Sequence, residues 1–371
     1  MNDNLYLAIT GYYGTGSSAV IDLLKEYEGV SISAPVETEY EHVALYYPGG
    51  LMDLYLVLSS EFCSVYNSDM IINRFIQASK NLNDYDYGWI GSYKKHYGNK
   101  FELITNEFVN QISRKTGRQS AGHMYKVRFS LIKAILQIGA RILIKRPITK
   151  LGRLYVTDKY PGYYAMPNIN HLNRASKQYI LDYLNMCSKG SKINVFDHLI
   201  WPQQCDLIDV IFPEKFKAIV VRRDPRDVYL LNKYYWHKPP VSVSKPYYST
   251  QVEIFCKEWE ESVKTEFKSQ KILSIYFEDL IYRYEETKSQ VESFLGLSKE
   301  KHTFPLTKYK PEMSIENTQI FLINEEWKKE IKTIEERLGD YLYHFPYERV
   351  PDKSKWFDTE AQLNNIKSKK K

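Results

Sequence analysis

Apolar positions first gather at Leu5–Thr10, a short run of strand type. The glycine-rich stretch Gly11–Ser18 follows, and then Ala19, Leu23, Leu24 and Tyr27 at helical spacing. Strand, loop and helix thus follow one another within about 27 residues. A second strand is predicted over Gly29–Ala34. From about Leu51 to Asn185 the pattern turns mainly helical, with long polar and aromatic connections such as Tyr160-Pro-Gly-Tyr-Tyr164 and no strong strand ladder. Regular alternation then returns, with strands predicted at Lys192–Asp197, Lys217–Arg222 and Ile272–Phe277, a helix from Pro225 and another over Thr250–Lys268. Ala218-Ile-Val-Val221 is continuously apolar, as a strand buried on both faces requires. A last amphipathic helix is predicted over Glu325–Tyr343. The reading is an α/β fold, a parallel β-sheet flanked by helices with a mainly helical insertion at about 51–190. It gives one domain over 1–350 and a basic tail over 351–371.

Composition narrows this without changing it. A chain of 371 residues that is 43% hydrophobic is neither disordered nor collagen-like. Its four cysteines are far apart and form no CxxC pair, which argues against a zinc site or a disulfide framework and fits a reducing compartment. The N-terminal residues lack a basic, then apolar, leader pattern, and no window holds the roughly 18 apolar residues of a membrane span. A soluble, cytoplasmic protein with no transmembrane segment is the expectation. The net charge of +6 is unevenly placed: the stretch from Arg114 to Arg153 holds eleven Lys or Arg and no Asp or Glu, so the rest of the chain is net acidic.

Gly11-Tyr-Tyr-Gly-Thr-Gly-Ser-Ser18 fits G-x4-G-x-[ST] between a strand and a helix, the context of a P-loop-type phosphate cradle. Gly11, Gly14 and Gly16 let the backbone approach an anion, and Thr15, Ser17 and Ser18 offer hydroxyls beside the open N–H groups of the helix start. A Walker A loop carries lysine where this loop has Ser17, so the usual β/γ-phosphate clamp is missing. A second anion signature is Arg222-Arg-Asp-Pro-Arg-Asp227 at the end of the apolar strand. Strand alternation sends Arg222 and Arg223 to opposite sides, so one of them is expected in the site. Asp224 suits the helix N-cap and Pro225 the first helical position. Asp227, three residues on, is expected to reach back to its own helix start.

Together these motifs resemble the sulfotransferases that use 3′-phosphoadenosine 5′-phosphosulfate (PAPS). Gly14-Thr-Gly-Ser-Ser18 resembles that family's loop for the 5′-phosphosulfate, and Arg-Asp-Pro-Arg-Asp its segment for the 3′-phosphate. Ile275-Tyr-Phe-Glu-Asp-Leu280, the later Phe294-Leu-Gly-Leu297 and Asn194-Val-Phe-Asp-His-Leu-Ile-Trp-Pro202 look like further family segments in the right order. The likeness covers residues 5–40 and 190–300 but not the insertion. It implies PAPS as co-substrate, no metal, and binding by Gly11, Gly14, Thr15, Gly16, Ser17, Ser18 and Arg223, with Arg222 as the fallback. Two departures stand out. The family usually has Lys or Arg where this loop has Gly14, and Leu231 replaces its second 3′-phosphate ligand, a serine, with Asn232 beside it as a substitute.

Sulfuryl transfer also needs a base for the acceptor proton. Glu37, Glu39 and Glu41 alternate along one face of the segment after the second strand, with His42 adjacent; Glu41 and then Glu39 are favoured, and His198 is a secondary candidate. For the missing loop cation the sequence offers Lys126 and Arg128, flanked by apolar residues. The acceptor is expected to be a glycan or polysaccharide precursor, and the basic block would attract an anionic one; nothing in the spacing reads nucleic acid bases. The competing readings are a P-loop kinase or ATPase, with Asp197 closing a Walker B-like strand, and a catalytically silent nucleotide- or glycan-binding protein.

Overall fold

The computed structural model describes residues 4–35, 40–86, 90–120, 127–129, 131–144, 155–157, 161–236 and 248–352. The strands among them are, in chain order, β1 (Leu5–Gly11), β2 (Val30–Ile32), β3 (Arg114–Gln119), β4 (Val127–Phe129), β5 (Tyr155–Thr157), β6 (Pro161–Tyr164), β7 (Ile193–Asp197), β8 (Phe216–Arg222) and β9 (Ile272–Tyr276). The chain divides into two compact units, one formed by Met1–His42 and Cys187–Lys371, the other by Val43–Met186.

The first unit holds a five-stranded sheet in the order β2-β7-β1-β8-β9, with every neighbouring pair parallel. Its core forms because β1, β7 and β8 present aliphatic side chains to the apolar stripes of the helices Ser17–Leu24 and Tyr284–Leu295. Leu7, Ile9, Val20, Leu23, Val195, Ile219, Val221 and Val291 are all sealed from solvent there. Each such aliphatic side chain contributes about 1.5–3 kcal/mol by leaving water. In this topology β1 is central, so its carboxyl end, where the glycine loop begins, lies between the carboxyl ends of β7 and β8. That edge is where parallel α/β sheets bind ligands.

The predicted strands all form, within two residues of the expected ends. The last helix is shorter than predicted: regular α-helix covers Lys328–Arg337, with single 3₁₀ turns on either side.

The second unit is largely helical, as expected, but it carries two short antiparallel pairs, β3 with β6 and β4 with β5, that hydrophobic periodicity does not predict. The cause is polar. Asp69, buried on the helix Val65–Asp84, accepts from the Tyr163 N–H (2.7 Å) and the Ser120 hydroxyl (2.6 Å), and the Thr116 hydroxyl donates to the Gly162 carbonyl (3.1 Å). A carboxylate and a hydroxyl, not an apolar face, fix this ladder, so alternation of side-chain type is not its signature.

Candidate active site

The loop after β1 is built so that only glycine fits at two positions. A Cβ on Gly11 would lie 2.3 Å from Thr15 Oγ1 and 2.8 Å from the Val221 carbonyl, and Gly16 combines a φ of +82° with a Cβ position 2.6 Å from the Phe277 ring. The Thr15 N–H and hydroxyl both donate to the Tyr12 carbonyl (2.9 and 2.6 Å) and close the turn. The helix Ser17–Leu24 then starts directly from Gly16, with no side-chain cap, so its first N–H groups and its dipole face the loop. Ser17 is buried and Ser18 exposed. Tyr12 is held by the Lys264 N–H (2.8 Å), and Tyr13 packs edge-on against Trp201, with ring centroids 4.6 Å apart.

Arg222 and Arg223 diverge, as strand alternation requires. Arg222 stacks on Tyr276 (4.5 Å) and donates to the Thr265 carbonyl (3.2 Å). Arg223, 4% exposed, lies over Phe277 (4.9 Å), and its Nη1 donates to the Gly14 carbonyl at 2.8 Å while Nη2 donates to the Asn317 carbonyl. The guanidinium of the second motif is therefore bonded to the loop of the first, across 209 residues of sequence. A guanidinium thus reaches the Gly14 carbonyl from the residue that follows β8. Of the two sequence candidates for that role, Lys126 lies outside the described residues, and Arg128 falls on β4, in the second unit. The Nε atoms of both Arg222 and Arg223 are buried with no hydrogen-bond partner among the described residues.

Asp224 caps the helix Pro225–Leu230, accepting from the Arg226 N–H (2.9 Å) and from two guanidinium nitrogens of Arg226. Asp227 departs from expectation. It accepts instead from the N–H groups of Gln319 (2.8 Å) and Ile320 (2.7 Å), because its side chain is buried and the incoming segment offers two uncapped donors. Past Leu230 the helix widens into a π-turn, Leu231–Trp236. Asn232 donates there to the Val228 carbonyl (3.1 Å), while its Oδ1 is buried without a partner among the described residues. Such turns recur at functional sites.

Glu278, fully buried, accepts from the Asp224 N–H (2.9 Å). Burial first, and then the Asp224 charge, push its carboxyl up to about 8, against the pull of Arg223. Burial also raises Asp227, and lowers the Arg223 guanidinium against the attraction of Asp227, Glu278 and Asp224. Because the folded state keeps a proton on Glu278 that an unfolded carboxyl with its ordinary value of 4.5 releases, this group's contribution to stability is complete below pH 4.5. It is lost as pH rises toward about 8. Glu278→Gln mimics the protonated form. Urea unfolding at several pH values is expected to show a smaller loss of stability between pH 5 and 8 in the variant than in the parent; equal losses would remove Glu278 from the account.

The third part of the site is the end of β7. Asp197 pairs with Ile9 of β1, and the His198 N–H donates to the Ile9 carbonyl (3.0 Å). His198 has a φ of +47°, in the left-handed region, which costs a non-glycine residue of order 1 kcal/mol, and its Nδ1 lies 2.7 Å from Asp197 Oδ1. A neutral ring that donates Nδ1–H to Asp197 carries its acceptor lone pair on Nε2. The following turn brings Trp201 to Tyr13 of the loop.

Glu37 and Glu39 lie outside the described residues. Glu41 is half-buried where the chain returns to the end of β7, for the His42 N–H donates to the Asp197 carbonyl (3.1 Å). His42 is corrected from candidate base to core residue. It is 1% exposed, its Nε2 is hydrogen-bonded to the Ser33 carbonyl, and it packs edge-on against Tyr40 and Phe196. Burial pushes its pKa down to about 4. A sealed ring spending that N–H on a carbonyl is not placed to take a substrate proton.

No family model matches this chain, and no curated protein matches it. Among solved structures it is similar to the sulfotransferase domain from the Synechococcus PCC 7002 olefin synthase, at 11% identity over 92% of this chain and 96% of that one, with a TM-score of 0.37. It is similar also to the sulfotransferase domain from the curacin biosynthetic pathway (13% identity, 97% of each chain, TM-score 0.35). A third is retinol dehydratase in complex with androsterone and inactive cofactor PAP (12%, 93% of this chain, 83% of that one, TM-score 0.29). Those TM-scores lie below 0.5, so the functional reading rests on the loop, the arginines and the strand ends of this chain.

Proposed function

We propose that this chain is a sulfotransferase that moves a sulfuryl group from PAPS to a hydroxyl or amine of an acceptor. The observation that carries the reading is the Arg223–Gly14 hydrogen bond, which joins two anion-binding motifs at one sheet edge. A nucleotide with separate 3′ and 5′ anions needs two such motifs, whereas a nucleoside triphosphate needs one cradle with a lysine and a metal. The buried, unpartnered Nε atoms of Arg222 and Arg223 and the unpartnered Oδ1 of Asn232 fit a site with donors and an acceptor in reserve for a polar ligand. Gly11, Gly14, Thr15, Gly16, Ser17 and Ser18 would cradle the 5′ end, and Arg223, with Arg222 as the fallback, the 3′ end; the spare Oδ1 of Asn232 is an acceptor and suits a donor group of the ligand rather than its phosphate.

In the reaction the acceptor oxygen bonds to sulfur, the bond from sulfur to the 5′-phosphate oxygen breaks, and the acceptor proton leaves. The loop N–H groups at the helix start stabilise the charge left on the 5′-phosphate. His198, oriented by Asp197, takes the proton on Nε2; Glu41, at the same strand end, is the second choice ahead of Glu39 and Glu37. A glycan is the preferred acceptor, since the half-buried Tyr13 and Trp201 rings beside the loop suit sugar stacking.

Transfer of label from PAPS labelled in the sulfuryl group to a panel of polysaccharides, simple alcohols and amines, with a metal chelator present, tests the reading. Labelled acceptor and an equal amount of adenosine 3′,5′-bisphosphate are expected. No donor consumption on any acceptor, together with hydrolysis of Mg-ATP, would overturn it.

A further inference from the structure

In the second unit, the helix Leu131–Ile144 has the sequence LIKAILQIGARILI and leaves five large apolar side chains exposed. Leu131, Ile132, Ile135, Ile138 and Ile142 are between 53% and 73% exposed, while Ala134 is buried. Leu131, Ile135, Ile138 and Ile142 recur at i, i+4, i+7 and i+11, which aligns them along one face. In the sequence Lys133, Gln137 and Arg141 recur at i, i+4 and i+8, a different line of the same helix. A packed helix of a globular unit buries such a stripe; this one does not.

The surrounding sequence says what would cover it. All eleven charged residues from Arg114 to Arg153 are Lys or Arg, and Arg114 and Lys115 on β3 are exposed. An apolar stripe in a stretch of sequence whose only charges are positive complements a surface that is apolar in depth and anionic on top. A second copy of this chain would instead bring the same positive block against itself. At 14 residues, about 21 Å, the helix is too short to span a bilayer, and among the described residues no helix is long and apolar enough to cross a membrane.

We propose that the helix Leu131–Ile144 lies in the plane of an anionic lipid surface, with its exposed apolar stripe in the acyl boundary, docking this unit on a membrane, and that the positive charge of the stretch 114–153 adds attraction to the anionic headgroups. Amphipathic helices bind in this manner, by buried apolar area plus the attraction of Lys and Arg on or beside the helix to anionic lipid. The inference rests on the second unit alone and stands or falls independently of the sulfotransferase reading.

The test is flotation of the full chain with vesicles of phosphatidylcholine alone and of phosphatidylcholine with about one third phosphatidylglycerol, at low and high salt. Binding to the anionic vesicles is expected, at least about 10-fold weaker without phosphatidylglycerol and weakened by salt. Ile135→Glu/Ile138→Glu is expected to lower vesicle affinity at least about 10-fold with an unchanged thermal midpoint, and Ile135→Leu/Ile138→Leu to retain it. Three results would overturn the proposal. They are failure to bind the anionic vesicles, binding that the glutamate variant leaves intact, and a dimer in sedimentation velocity that the glutamate variant dissociates, since that would give the face to a second copy.

Discussion

His198→Ala is expected to lower kcat for sulfuryl transfer by about 10²–10⁴-fold, the usual worth of a positioned general base, while leaving affinity for adenosine 3′,5′-bisphosphate unchanged. The expectation follows from where the ring is held. The Ile9 carbonyl fixes its backbone beside the start of the glycine loop, Asp197 fixes its tautomer at 2.7 Å, and the left-handed φ aims a residue that extended backbone would not. Asp197→Asn is expected to lower kcat by a comparable factor, because the amide can donate to Nδ1 and so favour the tautomer that carries its proton on Nε2, and because it stabilises the imidazolium poorly. Single-turnover kinetics with saturating donor measure both. If Glu41→Gln loses as much as His198→Ala was expected to, while His198→Ala stays within about threefold of the parent, the base sits on the segment after β2 instead.

Arg223→Ala is expected to cost about 3–5 kcal/mol of stability and to abolish binding of adenosine 3′,5′-bisphosphate. The guanidinium ties the Gly14 and Asn317 carbonyls together and lies within the field of Asp224, Asp227 and Glu278. Its removal leaves two carbonyls unpaired and three carboxyl groups facing one another without their cation. Urea unfolding gives the stability. Arg223→Lys keeps the charge but lacks the fork that reaches both carbonyls, and it supplies a folded comparison if the alanine variant is too unstable to purify. A loss below about 1 kcal/mol in Arg223→Ala would mean that the buried cluster is not organised around this residue.

The features legible in the sequence are those set by neighbours along the chain. The continuous apolar run Ala218–Val221 reads as a buried parallel strand because both its faces are covered, Gly11 to Gly16 read as a tight turn from strand to helix because of their neighbours on either side, and Asp224-Pro225 reads as a cap and first turn. What escaped reading depends on partners far away in sequence. The bond from Arg223 to the Gly14 carbonyl has no local signal, so the sequence points only to Lys126 and Arg128 for a loop cation. Asp227 occupies the expected cap-box position yet serves Gln319 and Ile320, since burial makes the orphan N–H groups of that segment the stronger claim. His42 looked available because it follows three glutamates, and only the packing of Tyr40 and Phe196 around it shows that it belongs to the core. The same limit holds for β3 and β6, ordered by Asp69 rather than by alternation.

The central claim is that the sheet edge of the first unit holds a nucleotide by two separated anions without a metal. Calorimetric titration with adenosine 3′,5′-bisphosphate, adenosine 5′-monophosphate and Mg-ATP, the first two in the presence of chelator, tests it most directly. Binding of the bisphosphate at least about 10-fold tighter than the monophosphate, with the difference lost in Arg223→Lys, is the predicted result. Equal binding of the bisphosphate and the monophosphate, or binding of Mg-ATP alone, would contradict it.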